Sequence, residues 1–231
     1  MSLSLLVEEK INKYSELEII DAQEIYARNF RNIPEQNFYK TISRMAKSGE
    51  IIRLAKNIYC KPAVGRFGQV LSSEKHILEY YLGSKGNRGV VVGYRMYNKY
   101  KLTTQISKGI EVYSNVSVQE RKNVLNVKIK KVNLRFEPST SKIIELLNVL
   151  ENFNSIEELN RKNTILFIEG TITSYSDTIL ENLIKTISYK KSTLASLKNV
   201  LDYYTINHSI GNYLGEGSNY KSVRMEDLFE Y

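Results

Sequence analysis

Residues 34–60, PEQNFYKTISRMAKSGEIIRLAKNIYC, contain the clearest secondary-structure pattern in the chain. At about 100° per residue, the first half of this stretch places apolar residues on one side of a helix and polar residues on the other. The polar residues are Gln36, Lys40, Ser43 and Lys47. Pro34 suits the first turn because its missing N–H is not needed there, and Gly49 suits the position after the last turn. The pattern predicts an amphipathic helix over residues 34–48.

A short hairpin is predicted directly after this helix. Residues 50–54 and 58–60 are rich in isoleucine and leucine and indicate two strands. Three residues connect them, and the last of these, Asn57, tolerates the left-handed conformation that such a turn uses. A basic amphipathic helix followed by a basic hairpin is typical of a winged helix-turn-helix.

Two further helices are predicted before residue 34. Apolar residues recur at helical spacing over residues 3–14, and Asp21 with Glu24 forms a capping pattern for a helix that ends near Arg28. Residues 29–33 would form the turn. Three helices and a hairpin in this order are expected for a winged helix-turn-helix. We therefore predict such a DNA-binding domain over residues 1–62.

The composition is that of a globular protein with an anionic partner. Of 231 residues, 42% are hydrophobic and 25% are charged, which fits one or two domains with a buried core. The net charge of +8 favours binding to nucleic acid, anionic lipid or an acidic protein. The first residues do not resemble a signal peptide, and no apolar run approaches a membrane span. We expect a cytoplasmic protein that does not contact membranes.

Residues suited to catalysis or metal binding are scarce. The single cysteine excludes an internal disulfide, and Cys60 with His76 and His208 has no zinc-ligand spacing. Aspartate occurs only at positions 21, 177, 202 and 227, whereas metal-dependent nucleases need clustered carboxylates. We therefore predict that the protein is not an enzyme and uses no metal or other cofactor.

Positive charge concentrates around the predicted recognition helix. From Arg28 to Lys61 the chain has eight lysines or arginines and two glutamates. Cationic residues beside the helix would bind phosphates, whereas polar residues on its outer face would read base edges. The predicted DNA-binding residues are Arg28, Arg31, Gln36, Asn37, Tyr39, Lys40, Ser43, Arg44, Lys47, Arg53, Lys56 and Asn57. The alternative is that these side chains form an ordinary solvated helix face.

The rest of the chain is predicted to be a second domain. Residues 63–71 are predicted to be a linker because they contain two glycines and little periodicity, and the second domain would span residues 72–231. Strands are predicted at 90–92, 110–113 and 124–132. Helices are predicted from Ser141, after a capping box of Ser155 and Glu158, and at 176–188 and 194–204. The predicted class is α+β, a winged helix-turn-helix followed by a mixed α/β domain with a helical C-terminal part. The sequence GEGSNYKS at 215–222 lacks the spacing of a phosphate-binding loop.

A second basic region lies within this domain. Residues 85–135 contain twelve lysines or arginines and two glutamates. A second contact surface is predicted to consist of Arg88, Arg95, Lys99, Lys101, Lys128 and Lys130. Tyr94, Tyr97 and Tyr100 alternate with some of these cations, and they would either stack on nucleic acid or pack against the sheet.

Three segments resemble AbiEi-type antitoxins of abortive-infection toxin–antitoxin systems: SRMAKSGEIIRLAKNIYCKP at 43–62, Phe67 with Gly68, and Gly93 followed by LTTQ at 102–105. The similarity covers roughly residues 1–150. The family pattern has glycine where Asn57 and Lys101 stand. The resemblance implies a winged helix-turn-helix that represses its own type IV toxin–antitoxin operon. It also implies a C-terminal domain that counteracts a nucleotidyltransferase-like toxin, directly or indirectly.

Together these patterns predict a non-enzymatic transcriptional regulator that binds double-stranded DNA at its own operator and acts as an antitoxin. Two alternatives stay open. The basic surfaces would bind an acidic protein or RNA if the protein is an interaction module, and its binding to DNA would then not resist competitor DNA. A degenerate nuclease would instead cleave nucleic acid in the presence of divalent ions.

Overall fold

Helices and short strands alternate in the first 60 residues of the computed structural model, which describes residues 3–215 and 220–229. The elements of this N-terminal unit are α1 (Leu3–Asn12), β1 (Ile19–Asp21), α2 (Ala22–Asn29), α3 (Glu35–Lys47), β2 (Ile52–Ala55) and β3 (Ile58–Cys60). The three strands form an antiparallel sheet in the order β1-β3-β2. The predicted three helices and hairpin are therefore present. Strand β1 was not predicted, because three residues are too few to show alternation.

The N-terminal unit has its own apolar core. Phe38, Ile42 and Met45 on α3 are buried against Val7 and Ile11 on α1. The spacing of these residues follows the helical repeat, so the same face that the sequence marked as apolar is the face that packs inward. The predicted cap of α2 is present, because the Asp21 side chain accepts hydrogen bonds from the backbone N–H groups of Gln23 and Glu24. Pro34, predicted in the first turn of α3, is instead its N-cap residue.

The segment predicted to be a linker contains a hairpin. Strands β4 (Ala63–Gly65) and β5 (Gly68–Val70) pair antiparallel, with Gly65 opposite Gly68. The two glycines that suggested a flexible connection instead close a tight turn, and the φ of +114° at Gly68 is one that L side chains rarely adopt. The side chains of Val64 and Phe67 on this hairpin are exposed.

The remaining elements build a four-stranded mixed sheet between helical layers. They are α4 (Glu74–Leu82), β6 (Gly89–Val92), α5 (Tyr94–Lys99), β7 (Ile110–Ser114), β8 (Arg121–Val124), β9 (Val127–Lys131), α6 (Pro138–Asn152), α7 (Arg161–Ile172), α8 (Asp177–Thr186), α9 (Lys191–Tyr203) and α10 (Glu226–Phe229), with 3₁₀ turns at Phe153–Ser155 and Ile210–Tyr213. The strand order is β6-β7-β9-β8, in which β7 and β9 are parallel and the other pairs are antiparallel. The class is therefore α+β, as predicted.

The second unit differs from the prediction in two places. Strand β8 was not predicted, and the helix predicted after a capping box of Ser155 and Glu158 is present as α7 but begins only at Arg161, so that capping box is wrong. Glu158 has a φ of +51°, and the residue that caps α7 is Asn160, whose side chain accepts a hydrogen bond from the Asn163 N–H. The segment 215–222, which lacks the spacing of a phosphate-binding loop, lies partly outside the described residues.

The two units share a buried cluster of apolar side chains. Ile19 and Ile58 from the N-terminal sheet pack with Ile77 and Tyr81 from α4, on the side of the second sheet that carries Val112. At this junction the buried Lys122 Nζ lies 3.1 Å from the carboxylate of the buried Asp21. Helix α6 covers part of the opposite face of the second sheet.

Candidate nucleic-acid interface

Helix α3 directs a row of polar side chains away from the core. Its predicted contact residues Gln36, Asn37, Lys40, Ser43 and Lys47 are all exposed. The helix ends at the predicted position, because Gly49 has a φ of +82° and its N–H donates to Ala46 O. The result is a helix with a cationic outer face and an inner face that is apolar apart from Thr41.

Two arginines of this region form ion pairs with glutamates. Arg44 is paired with Glu8 of α1, and Arg28 Nη2 lies 2.7 Å from Glu24 in the preceding turn of α2. In the part of the chain that the structure describes, Lys40 and Lys47 have no ion-pair partner. The pair to Glu8 could not be found from sequence, because the two residues are 36 positions apart.

The turn between β2 and β3 is fixed against α2. Asn57 has a φ of +61°, as its residue type suggested, and its carbonyl accepts a hydrogen bond of 2.9 Å from Ala22 N. Arg53 Nε donates to Ala55 O at 3.2 Å, so the arginine lies along the turn. Lys56 at the tip is exposed, as is Arg31 on the connection between α2 and α3. The hairpin therefore presents cations from a backbone that is held in place.

Tyr39 lies at the flank of α3 with its ring inside an aromatic group. Its ring centroid is 5.2 Å from that of Phe38 and 6.2 Å from that of Tyr26. Burial raises the pKa of the Tyr39 hydroxyl to about 12, so the group keeps its proton near neutral pH. It is therefore a hydrogen-bond donor, as a phosphate contact requires.

The second predicted surface does not form one patch. Arg95 and Lys99 line a groove beside β6, and Lys101 lines a separate pocket between α5, α6 and α7. Lys128 and Lys130 lie on β9, on the sheet face opposite α4, and Lys130 Nζ is 5.0 Å from the ring centroid of Tyr113. Arg88 is exposed on the loop before β6.

Two contributors to these surfaces were not predicted. Arg121 is exposed and lies directly opposite Lys130 in the β8–β9 pair, so it extends the cationic part of the sheet. Lys85 lines the same groove as Arg95 and Lys99. Tyr97 is buried and donates a 2.8 Å hydrogen bond to Asn148 Oδ1, so this ring packs inside the protein rather than stacking on a ligand.

Two absences hold for residues 3–215 and 220–229. These ranges contain no group of three or more His, Cys, Asp or Glu side chains placed to hold a metal ion. None of the helices within them has the length and apolar character needed to cross a bilayer.

No protein-family model matches this chain, and a search of curated proteins returned no significant match.

Proposed function

We propose that this protein is a DNA-binding transcriptional regulator in which residues 1–62 act as a winged helix-turn-helix. The observation that supports this most strongly is the order α1-β1-α2-α3-β2-β3 with the sheet order β1-β3-β2. In this arrangement the second helix of a helix-turn-helix enters the major groove, and the hairpin contacts the backbone beside it. Here these would be α3 and the turn at Lys56.

The proposed biological role is an autoregulating repressor and antitoxin of a type IV toxin–antitoxin operon. It rests on the resemblance to AbiEi-type antitoxins, which have glycine at the positions of Asn57 and Lys101. Both residues have a positive φ, of 61° and 56°, so the backbone at both places has the conformation that glycine favours. This agreement supports the resemblance at the two positions where the sequence departs from it.

The proposed mechanism is occlusion of the promoter without chemistry. Lys40, Lys47 and Lys56 would neutralise phosphates or contact base edges, and the release of counterions would supply much of the affinity. The regulator would act in the cytoplasm, where its operator and a nucleotidyltransferase-like toxin would both be present.

A gel-shift titration with the DNA upstream of its own gene tests this proposal. We expect a complex that survives scrambled competitor DNA at near-physiological salt, because base contacts give a specificity that charge alone does not. Replacing Lys40 and Lys47 together with alanine should weaken binding about tenfold or more, since these side chains are exposed and unpaired. Equal binding by this variant would rule out α3 as the recognition helix. If scrambled competitor DNA abolishes the complex entirely, the result would favour an interaction module for acidic proteins or RNA.

The ion pair of Arg44 offers a gain-of-function control. Glu8→Gln removes the carboxylate that holds Arg44, so the guanidinium becomes free to bind phosphate and the affinity for DNA should rise. Glu9→Gln changes the net charge by the same amount at an exposed neighbouring position on α1. A larger increase with Glu8→Gln than with Glu9→Gln, measured in the same titration, would place Arg44 at the DNA. Identical effects would exclude it.

A further inference from the structure

A groove of about 500 Å³ runs along the outer edge of strand β6. The sheet order β6-β7-β9-β8 leaves this edge without a neighbouring strand. Leu82 and Gly86 line the groove on the side of α4, and Met96 and Pro138 line it on the side of α5 and α6. The groove is therefore a slot between two helical layers with a strand edge as its floor.

The backbone of β6 directs unused hydrogen-bonding groups into this slot. Asn115 N donates to Arg88 O, and the β6–β7 register then makes Val90 and Val92 the residues that bond to β7. Gly89 and Val91 consequently point their N–H and C=O groups outward. Gly93 is the next residue whose backbone groups face this edge, and its N–H donates to Asn148 Oδ1 at 2.9 Å. Among the described residues, no loop or side chain supplies partners for the outward groups of Gly89 and Val91.

The ends of the groove are cationic. Lys85 lies near the start of β6, whereas Arg95 and Lys99 lie on the helix that follows its end. Arg95 Nη2 is 3.7 Å from Glu74 Oε1, a carboxylate outside the groove lining, so an acidic ligand would compete with Glu74 for Arg95. The lining includes one carboxylate, Glu145, which is buried, accepts a 2.8 Å hydrogen bond from the Tyr100 hydroxyl and lies 3.6 Å from Lys99 Nζ. The charge of the slot is therefore positive at the positions that an extended ligand would reach with its two ends.

We propose that this groove binds an extended acidic peptide segment of a partner protein, which pairs with β6 as a fifth strand. Backbone hydrogen bonds to Gly89 and Val91 would give the segment its register, and its alternating side chains would contact the two helical layers. Acidic side chains at its ends would pair with Lys85, Arg95 and Lys99. This site is separate from α3, so the proposal does not depend on DNA binding.

Fluorescence anisotropy with a labelled, capped hexapeptide of sequence EEVVEE tests the proposal at near-physiological salt. We expect saturable binding that weakens at least tenfold when the two valine amides are N-methylated, because methylation removes strand pairing but keeps the charge. The matched peptide KKVVKK should not bind. No binding by EEVVEE, or binding that survives N-methylation, would overturn the proposal. Equally good competition by a single capped glutamate would mean a pocket for small anions and would also overturn it.

Variants of the protein test the same contacts from the other side. Lys85→Glu should weaken peptide binding at least tenfold, whereas Lys13→Glu, the same charge change at an exposed residue just after α1, should change it less than twofold. Val91→Pro removes one outward N–H, and proline is tolerated where an edge strand faces away from its neighbour. It should abolish binding. If that variant does not fold, the N-methylated peptide still decides the question. Gel shifts with Val91→Pro, which changes no charge, should stay at the wild-type level, so a failure of this site is distinguishable from a failure of DNA binding.

Discussion

At the scale of single residues, three helices end in the same way with three different residue types. Gly49, Lys101 and Thr205 each follow a helix with a positive φ, and each end is closed by two backbone hydrogen bonds of 2.9–3.4 Å. Glycine costs nothing in this conformation, whereas a residue with a Cβ costs about 1–2 kcal/mol. The ends of α5 and α9 therefore carry strain that the end of α3 lacks.

Glycine at these positions should accordingly stabilise the protein. We expect Lys101→Gly and Thr205→Gly each to raise the free energy of unfolding by up to about 1 kcal/mol, because the release of about 1–2 kcal/mol of strain outweighs the greater freedom that glycine gives the unfolded chain, and both side chains are exposed. Gly49→Ala should lower it by about 1 kcal/mol. Urea unfolding monitored by circular dichroism measures all three. A destabilising Thr205→Gly would show that its side chain has a role beyond the turn.

The sequence could predict only part of this residue-level pattern. Gly49 and Asn57 were predicted correctly, because glycine and asparagine are the residue types that mark left-handed positions. Lys101 and Thr205 carry no such mark, and their conformation follows from the packing of the helices that precede them. The same limit applies to the contact between Arg44 and Glu8, which depends on how α1 crosses α3.

At the scale of elements, helix α5 is held in place by one side chain of α6. Asn148 Oδ1 accepts hydrogen bonds from Gly93 N at 2.9 Å and from the Tyr97 hydroxyl at 2.8 Å. These bonds hold the N-cap and the fourth residue of α5, which carries Arg95 and Lys99 to the groove. The spacing of the tyrosines in this helix did not decide between stacking on nucleic acid and packing against the sheet. The Tyr97 ring packs inside the protein because its hydroxyl bonds to Asn148, which is 51 positions away in the sequence, so no local pattern predicts it.

Asn148→Ala should therefore destabilise the protein by about 1–3 kcal/mol, because it leaves the part-buried Gly93 N–H without a partner and the Tyr97 hydroxyl with only its 3.3 Å bond to the backbone oxygen of residue 148. The matched control is Asn182→Ala on the exposed face of α8, which should have little effect or be slightly stabilising because alanine favours helices. Thermal unfolding of the two variants measures the difference. Equal melting temperatures would mean that Asn148 is not what positions α5.

At the scale of the whole molecule, the two units are joined by a shared core rather than by a flexible connection. Ile19 and Ile58 pack into the cluster beneath the second sheet, and Asp21 pairs with Lys122 at 3.1 Å in the same buried region. The strand that contains Ile58 was predictable from the sequence, whereas β1 is too short to show alternation. The contact between the two units was not predictable, because Asp21 and Lys122 are 101 positions apart in sequence. The consequence is a fixed orientation between α3 and the cations of β9.

Lys122→Met is the variant that tests this junction. It leaves the buried carboxylate of Asp21 without a counter-charge, so we expect a loss of about 3–5 kcal/mol in the free energy of unfolding. Adding Asp21→Asn to this variant should recover much of the loss, since the double variant buries no unpaired charge. Lys128→Met is the matched control on the exposed face of the neighbouring strand and should change stability by less than about 0.5 kcal/mol. Urea unfolding of the wild type should show one transition, because separate transitions would mean that the units fold independently. If Lys122→Met unfolds like Lys128→Met, the pair does not hold the units together, and the fixed orientation of the two basic regions would rest on the apolar cluster alone.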